Sequence, residues 1–187
     1  MPLVGPMSAF QEQLYRNAPA SAVSKSMPAG SVSHWGEKVK SVPIVIDGNE
    51  TKWHIAGKYD VIVSFDNGTV ALIDCKVTTS EMDQSKIELY WPQLEAYAFA
   101  LENPADGDPL TVSETGLLMW RVVNAKTNHV DEFTFGTDKE YISGGRSPEK
   151  FQSFIAKVID LLDGPMPETT AGCPHCGYLA KRASNSA

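Results

Sequence analysis

Apolar and polar residues are patterned differently in successive parts of the chain, and the first forty residues favour helices. Ser8 is a candidate N-cap for a helix through Tyr15, which Pro19 ends. The segment APASAVSKSMPAG is rich in residues that break helices and predicts a link, and a second helix is predicted over residues 33–40. Residues 1–30 are therefore interpreted as an N-terminal helical and linker segment.

From residue 42 the pattern becomes typical of β-strands. VPIVI and TKWHIA flank Asp47-Gly48, and KYDVIVSF and TVALIDCKV flank Asn67-Gly68. Asp-Gly and Asn-Gly favour tight hairpin turns because these residues accept positive φ angles. Two consecutive hairpins, and so four strands, are predicted here.

A long helix is predicted next, over residues 82–102. Pro92 falls inside it and predicts a kink or a late helix start. The apolar positions recur at helical spacing, and they are Leu89, Leu94, Tyr97, Ala98 and Leu101.

The last third of the chain predicts two strands, another helix and a tail. GLLMWRVV at 116–123 is an apolar strand, and HVDEFTF is expected to pair with it. Ser147-Pro148-Glu149 is a helix start, because a capping residue precedes proline in the first turn, and Gly164 ends this amphipathic helix. The chain after Pro167 is interpreted as loop-like.

This order of elements predicts an α/β or α+β fold, with a mixed central β-sheet flanked by helices. A single domain over residues 1–187 is expected, because the chain can bury a sizeable core but is short for two ordinary domains without a clear linker. Residues 31–163 would form its core, and residues 164–187 its C-terminal CxxC tail.

Composition and charge narrow the function only slightly. The chain is 42% hydrophobic and 21% charged, which is typical of a globular protein. Its net charge of −7 argues mildly against nucleic-acid binding. A carboxylate metal site would add negative charge that a cation cancels. Four lysines are interpreted either as a positive rim or as a solvated surface: Lys38, Lys40, Lys52 and Lys58.

An intracellular, cytoplasmic protein without a membrane partner is predicted. The N-terminal MPLVGPMSAFQEQ lacks the basic and apolar regions of a secretory signal, and no run approaches the roughly 20 apolar residues of a membrane span. The odd number of cysteines, Cys75, Cys173 and Cys176, argues against a disulfide framework.

The second predicted hairpin carries the candidate chemistry. Asp74 and Lys76 point to one face of their strand and Cys75 to the other, because side chains alternate along a strand. Asp60, on the preceding strand, can come beside them across the turn. Two such carboxylates repel each other unless a cation lies between them, and oxygen ligands suit Mg²⁺ or Mn²⁺. A metal can activate a bound water, and a metal and an amine together can stabilise the charge that develops on a phosphate, so the set favours phosphodiester hydrolysis.

A purely structural interpretation of these residues is also possible. Asp60 could occupy a turn or a strand edge, and Asp74 with Lys76 could be a solvent-facing pair. The apolar neighbours VIV and ALI imply that both strands are buried, and buried strands rarely carry three charged residues. The functional interpretation is therefore preferred.

Three motifs follow one another at specific spacings. Gly57 to Asp60 reads G-x-x-D, Asp74-Cys75-Lys76 follows fourteen residues after Asp60 as D-x-K, and Gln93 to Tyr97 reads Q-x-x-x-Y. In this order, over about residues 30–180, the chain resembles the PD-(D/E)XK nuclease superfamily in its RecB-like branch, which includes CRISPR-associated nucleases. The resemblance implies a restriction-endonuclease-like core.

The same resemblance implies a role for each motif residue. Asp60 and Asp74 would be metal ligands together with the backbone carbonyl of Cys75, and Lys76 would be the catalytic lysine. The metal would be Mg²⁺ or Mn²⁺. A histidine on a preceding helix often joins the metal in this branch, which makes His34 the candidate, with Glu37 as the alternative.

The helix of the third motif would face the active site. Gln93 and Tyr97 are one helical turn apart and share a face. In the family that face helps to hold nucleic acid or the lysine, so both residues are predicted to bind substrate. Tyr90 is interpreted as a core residue.

The cysteine tail departs from the family pattern. Many RecB-like nucleases hold an iron-sulfur cluster with four cysteines, one near the N-terminus and three near the C-terminus. Only Cys173 and Cys176 match here, and Ala18 stands where the first would be expected. No iron-sulfur cluster is therefore predicted. A structural zinc at Cys173 and Cys176, completed by His175 or a partner, is the alternative to a metal-free tail.

The function predicted from the resemblance is a divalent-metal-dependent DNA nuclease, and its partner is DNA. An exonuclease in phage or bacterial DNA processing, recombination or repair is expected. The alternative is a non-catalytic nucleic-acid-binding or scaffolding module that retains the nuclease fold. A third class, a zinc-binding adaptor built on CPHC, would be indifferent to changes at Asp60.

Overall fold

The computed structural model describes residues 4–81, 83–129, 132–166, 168 and 172–184. Its elements follow the chain in the order α1 (Val4–Leu14), α2 (Ala20–Val23), β1 (Gly30–Trp35), β2 (Lys38–Lys40), β3 (Val45–Ile46), β4 (Asn49–Glu50), β5 (Ala56–Lys58), β6 (Val61–Phe65), β7 (Val70–Thr78), α3 (Ser85–Glu102), β8 (Val112–His129), β9 (Glu132–Gly145), α4 (Pro148–Asp163) and α5 (Pro174–Ser184). Two compact units divide the chain, Met1–Gln152 and Ser153–Ala187. Among the described helices, none has both the length and the apolar character that crossing a membrane requires.

The first unit is built on a five-stranded sheet in the order β1-β6-β7-β8-β9. β7 and β8 run parallel, whereas the other neighbours are antiparallel, so the sheet is mixed. The parallel pair is possible because α3 connects β7 to β8 as a crossover. The predicted fold, a mixed central sheet flanked by helices, is confirmed.

The sheet buries a different apolar cluster on each face. Alternation along β7 sends Ala71, Ile73 and Cys75 into one cluster, together with residues of the α1–α2 region such as Tyr15 and Val23. On the other face, Leu72 packs with Ala98 and Leu101 of α3, and Leu117 of β8 packs with Leu94. Asp74 and Lys76 follow Leu72 at alternate positions of β7, so their side chains also point towards α3.

The hairpin of β6 and β7 is confirmed where the sequence predicted it. Gly68 has φ +84° in the turn, and Asn67 Oδ1 accepts hydrogen bonds from the backbone and hydroxyl of Thr69. The first predicted hairpin is confirmed only at its Asp47-Gly48 tip, where β3 and β4 pair. β5 pairs instead with β2, which lies much earlier in the chain.

The predicted helix over residues 33–40 is wrong. This segment forms β1 and β2, separated by Gly36 at φ +61°. β1 pairs with β6, and β2 pairs with β5, so non-local backbone hydrogen bonds decide its structure rather than local preference.

The later elements agree better with the sequence. α3 begins at Ser85 and continues through Pro92, so a helix that starts late at Pro92, one of the two predicted alternatives, is wrong. β8 and β9 form the predicted hairpin, and it is much longer than expected. α4 begins at Pro148, and the Gly164 amide bonds to Asp160 O at its end, as predicted. The loop-like tail is a wrong prediction, because α5 occupies much of it.

Candidate active site

The β6–β7 hairpin brings the two aspartates of the first two motifs together. Val61 pairs with Ile73 and Ile62 with Leu72, and continuing this register by one residue places Asp60 opposite Asp74. The Cys75 amide donates a 2.8 Å hydrogen bond to Asp60 Oδ2. The predicted proximity of Asp60 to the D-x-K strand therefore holds.

Asp74 is the most constrained residue of the site. Its side chain is almost fully buried, with 5% of the residue exposed. Gln93 Nε2 donates to Asp74 Oδ1 at 3.0 Å, and Lys76 Nζ lies 2.6 Å from Asp74 Oδ2. Each oxygen of the carboxylate has one described partner, and a carboxylate oxygen can accept more than one contact. A buried carboxylate oxygen thus has a cationic neighbour but spare capacity to bind.

The electrostatics of the pair follow from burial and from the second aspartate. Burial raises the pKa of Asp74 to about 6, and the charge of Asp60 adds to the rise, while Lys76 and Gln93 oppose it. Burial alone would lower the pKa of Lys76, but the attraction of Asp74, Asp60 and Tyr90 outweighs it and raises that pKa. Lys76 is therefore charged at neutral pH.

One face of α3 closes the site. Gln93 reaches Asp74, as described above, and Tyr97 lies one turn further along the helix. The Tyr97 ring packs so closely on Gly57 that a Cβ there would stand 2.5 Å from Cε1. The glycine of the G-x-x-D motif is thus explained by the third motif. The structure brings all three motifs together.

Tyr90 contributes more than the sequence indicated. Lys76 Nζ lies 4.8 Å from the centre of the Tyr90 ring, a cation–π contact, although the same side chain also packs on the core as predicted. The spacing of Tyr90, Gln93 and Tyr97 places them on one helix face. That spacing is the signal that could have identified Tyr90.

The donors present fit a hard divalent cation. Cys75 donates its amide towards Asp60, and in an antiparallel ladder the amide and carbonyl of one residue point to the same neighbour. The Cys75 carbonyl therefore also points towards the Asp60 side. Among the described residues, no three His, Cys, Asp or Glu side chains gather to hold a metal. Two carboxylates and a carbonyl suit Mg²⁺, which keeps several of its waters.

His34 and Glu37, the two further candidate metal ligands, lie apart from the two aspartates. His34 is in β1, not on a helix, opposite Ile62, and its Nδ1 lies 2.9 Å from Ser33 Oγ. It is not gathered with the two aspartates. Glu37 accepts a 3.0 Å hydrogen bond from the Tyr59 hydroxyl. Burial, followed by the influence of Glu37, raises the pKa of Tyr59.

The cysteine pair lies at the start of α5 in the second unit. The Cys176 amide donates to Cys173 Sγ at 3.5 Å, and this contact, with the Cys176 thiol, lowers the pKa of Cys173. Both thiols are free. The described part of the chain does not gather His175 with the two cysteines as a three-ligand metal site, and the zinc alternative stays a prediction.

A family model for the PD-(D/E)XK nuclease superfamily matches residues 7–180. The chain belongs to the PD-(D/E)XK nuclease superfamily. The crystal structure of SSO0001 is 13% identical, with a TM-score of 0.48, and the match covers 88% of this chain. The chain spans 62% of the length of SSO0001. No curated protein matches it. Proteins of this superfamily are nucleases that generally use divalent metals.

Proposed function

We propose that this PD-(D/E)XK protein is a Mg²⁺- or Mn²⁺-dependent deoxyribonuclease, in which Asp60 and Asp74 hold the metal with the Cys75 carbonyl and Lys76 is the catalytic amine. The observation that carries the proposal is the Asp74 carboxylate. It is buried opposite Asp60, and its two oxygens contact Gln93 Nε2 at 3.0 Å and Lys76 Nζ at 2.6 Å. A merely structural carboxylate would not need a second carboxylate placed opposite it, because the two negative charges repel each other.

Each residue has a distinct part in the proposed hydrolysis. A bound Mg²⁺ or Mn²⁺ would lower the pKa of a coordinated water and offset charge on the phosphate. Lys76 keeps a positive charge beside Asp74 and would stabilise the negative charge that develops on the phosphate oxygens. Gln93 donates a hydrogen bond to Asp74 Oδ1, and the Tyr97 ring packs on Gly57. Both residues would therefore position the site and the nucleic-acid strand bound there.

The finer proposal is an exonuclease of the RecB-like branch that acts in phage or bacterial DNA processing, recombination or repair. The three-motif order Gly57–Asp60, Asp74–Lys76 and Gln93–Tyr97 supports it. A metal role for His34 and a structural zinc at Cys173 and Cys176 remain predictions of the same resemblance.

A non-catalytic nucleic-acid-binding module is the second candidate function. It would retain the fold but not cut. Asp60, Asp74 and Lys76 are all present, and Lys76 contacts Asp74, while Asp60 lies opposite Asp74. This complete set favours the enzyme, because a module released from catalysis has no need to keep a buried carboxylate beside a second one.

The deciding experiment compares linear duplex, closed circular and single-stranded DNA with and without Mn²⁺, and follows product size over time. We expect metal-dependent cleavage that EDTA stops, with mononucleotides released from ends. Discrete nicks in the circle would replace the exonuclease assignment by an endonuclease one. No cleavage of any substrate, with DNA binding retained, would favour the module.

A pair of variants assigns the activity to the site. Asp74→Asn should lower cleavage by on the order of 10³-fold, because the metal that would stabilise the transition state loses one of its two carboxylate ligands. Asp66→Asn is the matched control, since Asp66 is exposed in the turn of the same hairpin and should leave cleavage unchanged. Equal loss in both variants, or none in either, would contradict the assignment.

A further inference from the structure

The two-stranded ribbon of β2 and β5 carries three lysines on one face. Lys38 lies directly opposite Lys58, and Lys40 lies opposite Ala56. Side chains alternate along a strand, and opposed residues share a face, so the three amines project from the same side.

The other face of the ribbon is occupied. Val39 packs against the apolar cluster that includes residues of α3, and Gly57 lies on the Tyr97 ring. The three lysines therefore project away from α3, and all of them are exposed.

The charge of this face is not compensated within the described part of the chain. None of the three lysines forms an ion pair with a described residue, although the chain as a whole has a net charge of −7. Like charges directly opposite each other, as at Lys38 and Lys58, destabilise a strand pair. A cavity of about 650 Å³ adjoins them, lined by all three lysines and by one acidic residue, Asp106. The arrangement suits an anionic ligand.

The lysine face lies next to the proposed cleavage site. Lys58 precedes Asp60 by two residues, a distance of at most about 7 Å along an extended chain. Gly57 lines the cavity and also contacts Tyr97, whose helix carries Gln93 to Asp74. Because the lysines project from the ribbon face that points away from α3, a nucleic-acid strand bound at Asp74 would have to extend by a few phosphates to reach them.

We propose that Lys38, Lys40 and Lys58 form a phosphate-binding surface for the DNA strand that enters the active site. This proposal rests on the proposed function and identifies how the same site holds its substrate. The lysines bind backbone phosphates, so they position the strand without reading its sequence. They explain how an acidic protein binds DNA: the positive charge is concentrated on one ribbon beside the carboxylates.

The test measures DNA binding separately from cleavage. Fluorescence anisotropy of a labelled oligonucleotide is recorded in EDTA for the full chain and for Lys38→Gln/Lys58→Gln. We expect affinity at low salt to fall on the order of tenfold or more, and the slope of log K against log salt to fall by about 1.4 for single strands or 1.8 for duplex, from two lost contacts. Adding Lys40→Gln should lower both further.

The matched control is Lys25→Gln/Lys126→Gln, which removes the same charge from exposed lysines outside the ribbon. It should leave affinity within about twofold, since long-range effects of exposed charges are screened. The ribbon variant should also melt no lower than the wild type, because a like-charge pair is removed.

Three outcomes distinguish this proposal from the proposed function. Equal loss of binding in the ribbon and control variants overturns the phosphate surface and leaves the nuclease assignment intact. Binding that depends on the ribbon in a protein that never cleaves DNA overturns the nuclease assignment and supports the surface. A ribbon variant that loses affinity for RNA of the same sequence but not for DNA overturns DNA as the strand it holds.

Discussion

Two buried charged clusters contact helix α3, and they differ in how completely their hydrogen bonds are made. At one, Arg146 forms a two-point ion pair with Glu102, at 2.7 and 2.9 Å, and lies 3.3 Å from Glu95. Glu95, with 3% exposed, also accepts the Ser147 amide at 2.7 Å. At the other, Asp74 is similarly buried at 5% exposed, and its two oxygens have one described partner each, Gln93 Nε2 and Lys76 Nζ.

The difference separates structure from function. The Arg146 cluster joins α3 to the end of β9 and the first residue before α4, and its carboxylates are satisfied by the protein itself. In the Asp74 cluster each oxygen of that carboxylate has one described partner, so it can also coordinate a cation. Buried charge alone does not mark a site, since both clusters have it. A second carboxylate placed opposite the first does, and the charge of Asp60 adds to the burial that raises the pKa of Asp74 to about 6.

The largest expected effect comes from breaking the Arg146 cluster. Arg146→Ala should lower the free energy of unfolding by about 3 to 5 kcal/mol, because Glu95 is left buried without its cation. Urea denaturation of the metal-free protein measures this. Cleavage per folded molecule should change little.

Asp74→Asn is the counterpart in the Asp74 cluster. Burial makes the charged form of the Asp74 carboxylate energetically unfavourable, and asparagine carries no charge. The metal-free variant should therefore unfold at the same or a higher urea concentration than the wild type at pH 8. If Asp74→Asn destabilised the fold as much as Arg146→Ala does, the distinction between the two clusters would be lost.

Metal binding should supply what the Asp74 cluster lacks. At a metal concentration a hundredfold above Kd, Mg²⁺ or Mn²⁺ should stabilise the protein by about 2.7 kcal/mol, or about 5 to 10 °C in Tm. Calorimetry or differential scanning fluorimetry with each chloride salt measures the shift. Asp74→Asn should show no shift, whereas Arg146→Lys, which retains the charge of the Arg146 cluster, should keep it.

The same experiment has a defined pH dependence. The folded pKa of Asp74 is about 6, above the unfolded value of about 3.9. In metal-free protein this group therefore contributes stability below about pH 4, and the contribution is lost as pH rises through 6. The metal requires the unprotonated carboxylate, so its effect on Tm should be full at pH 8 and fade below pH 6. A shift that is equal at pH 5 and pH 8 would contradict Asp74 as a ligand.

How much of this could be predicted from the sequence depends on how local the cause is. The turn at Asn67-Gly68 and the alternation along β7 predicted that Asp74 and Lys76 share a face, because both depend on adjacent residues. The start of α4 at Pro148 was also predicted by adjacent residues.

The parts that the sequence did not predict depend on distant partners. Residues 33–40 become β1 and β2 only because β6 and β5 offer edges to pair with. The hydrogen bond from Gln93 to Asp74 joins residues 19 positions apart, and the family resemblance indicated only that Gln93 faces the site. The burial that raises the pKa of Asp74 is likewise a property of the assembled site.

The smallest effect tests the ring beside Lys76. Tyr90→Leu removes a cation–π contact worth about 1 kcal/mol, so cleavage should fall about fivefold. Tyr90→Phe keeps the aromatic ring and removes only the hydroxyl, so this variant should retain most of the wild-type activity.

Trp91→Leu is the matched control on the same helix. It removes the ring 4.2 Å from Lys150 Nζ, and cleavage should stay unchanged. If Trp91→Leu lowered cleavage as much as Tyr90→Leu, the loss would come from damage to α3. If Tyr90→Phe remained as slow as Tyr90→Leu, the hydroxyl rather than the ring face would be what Lys76 requires.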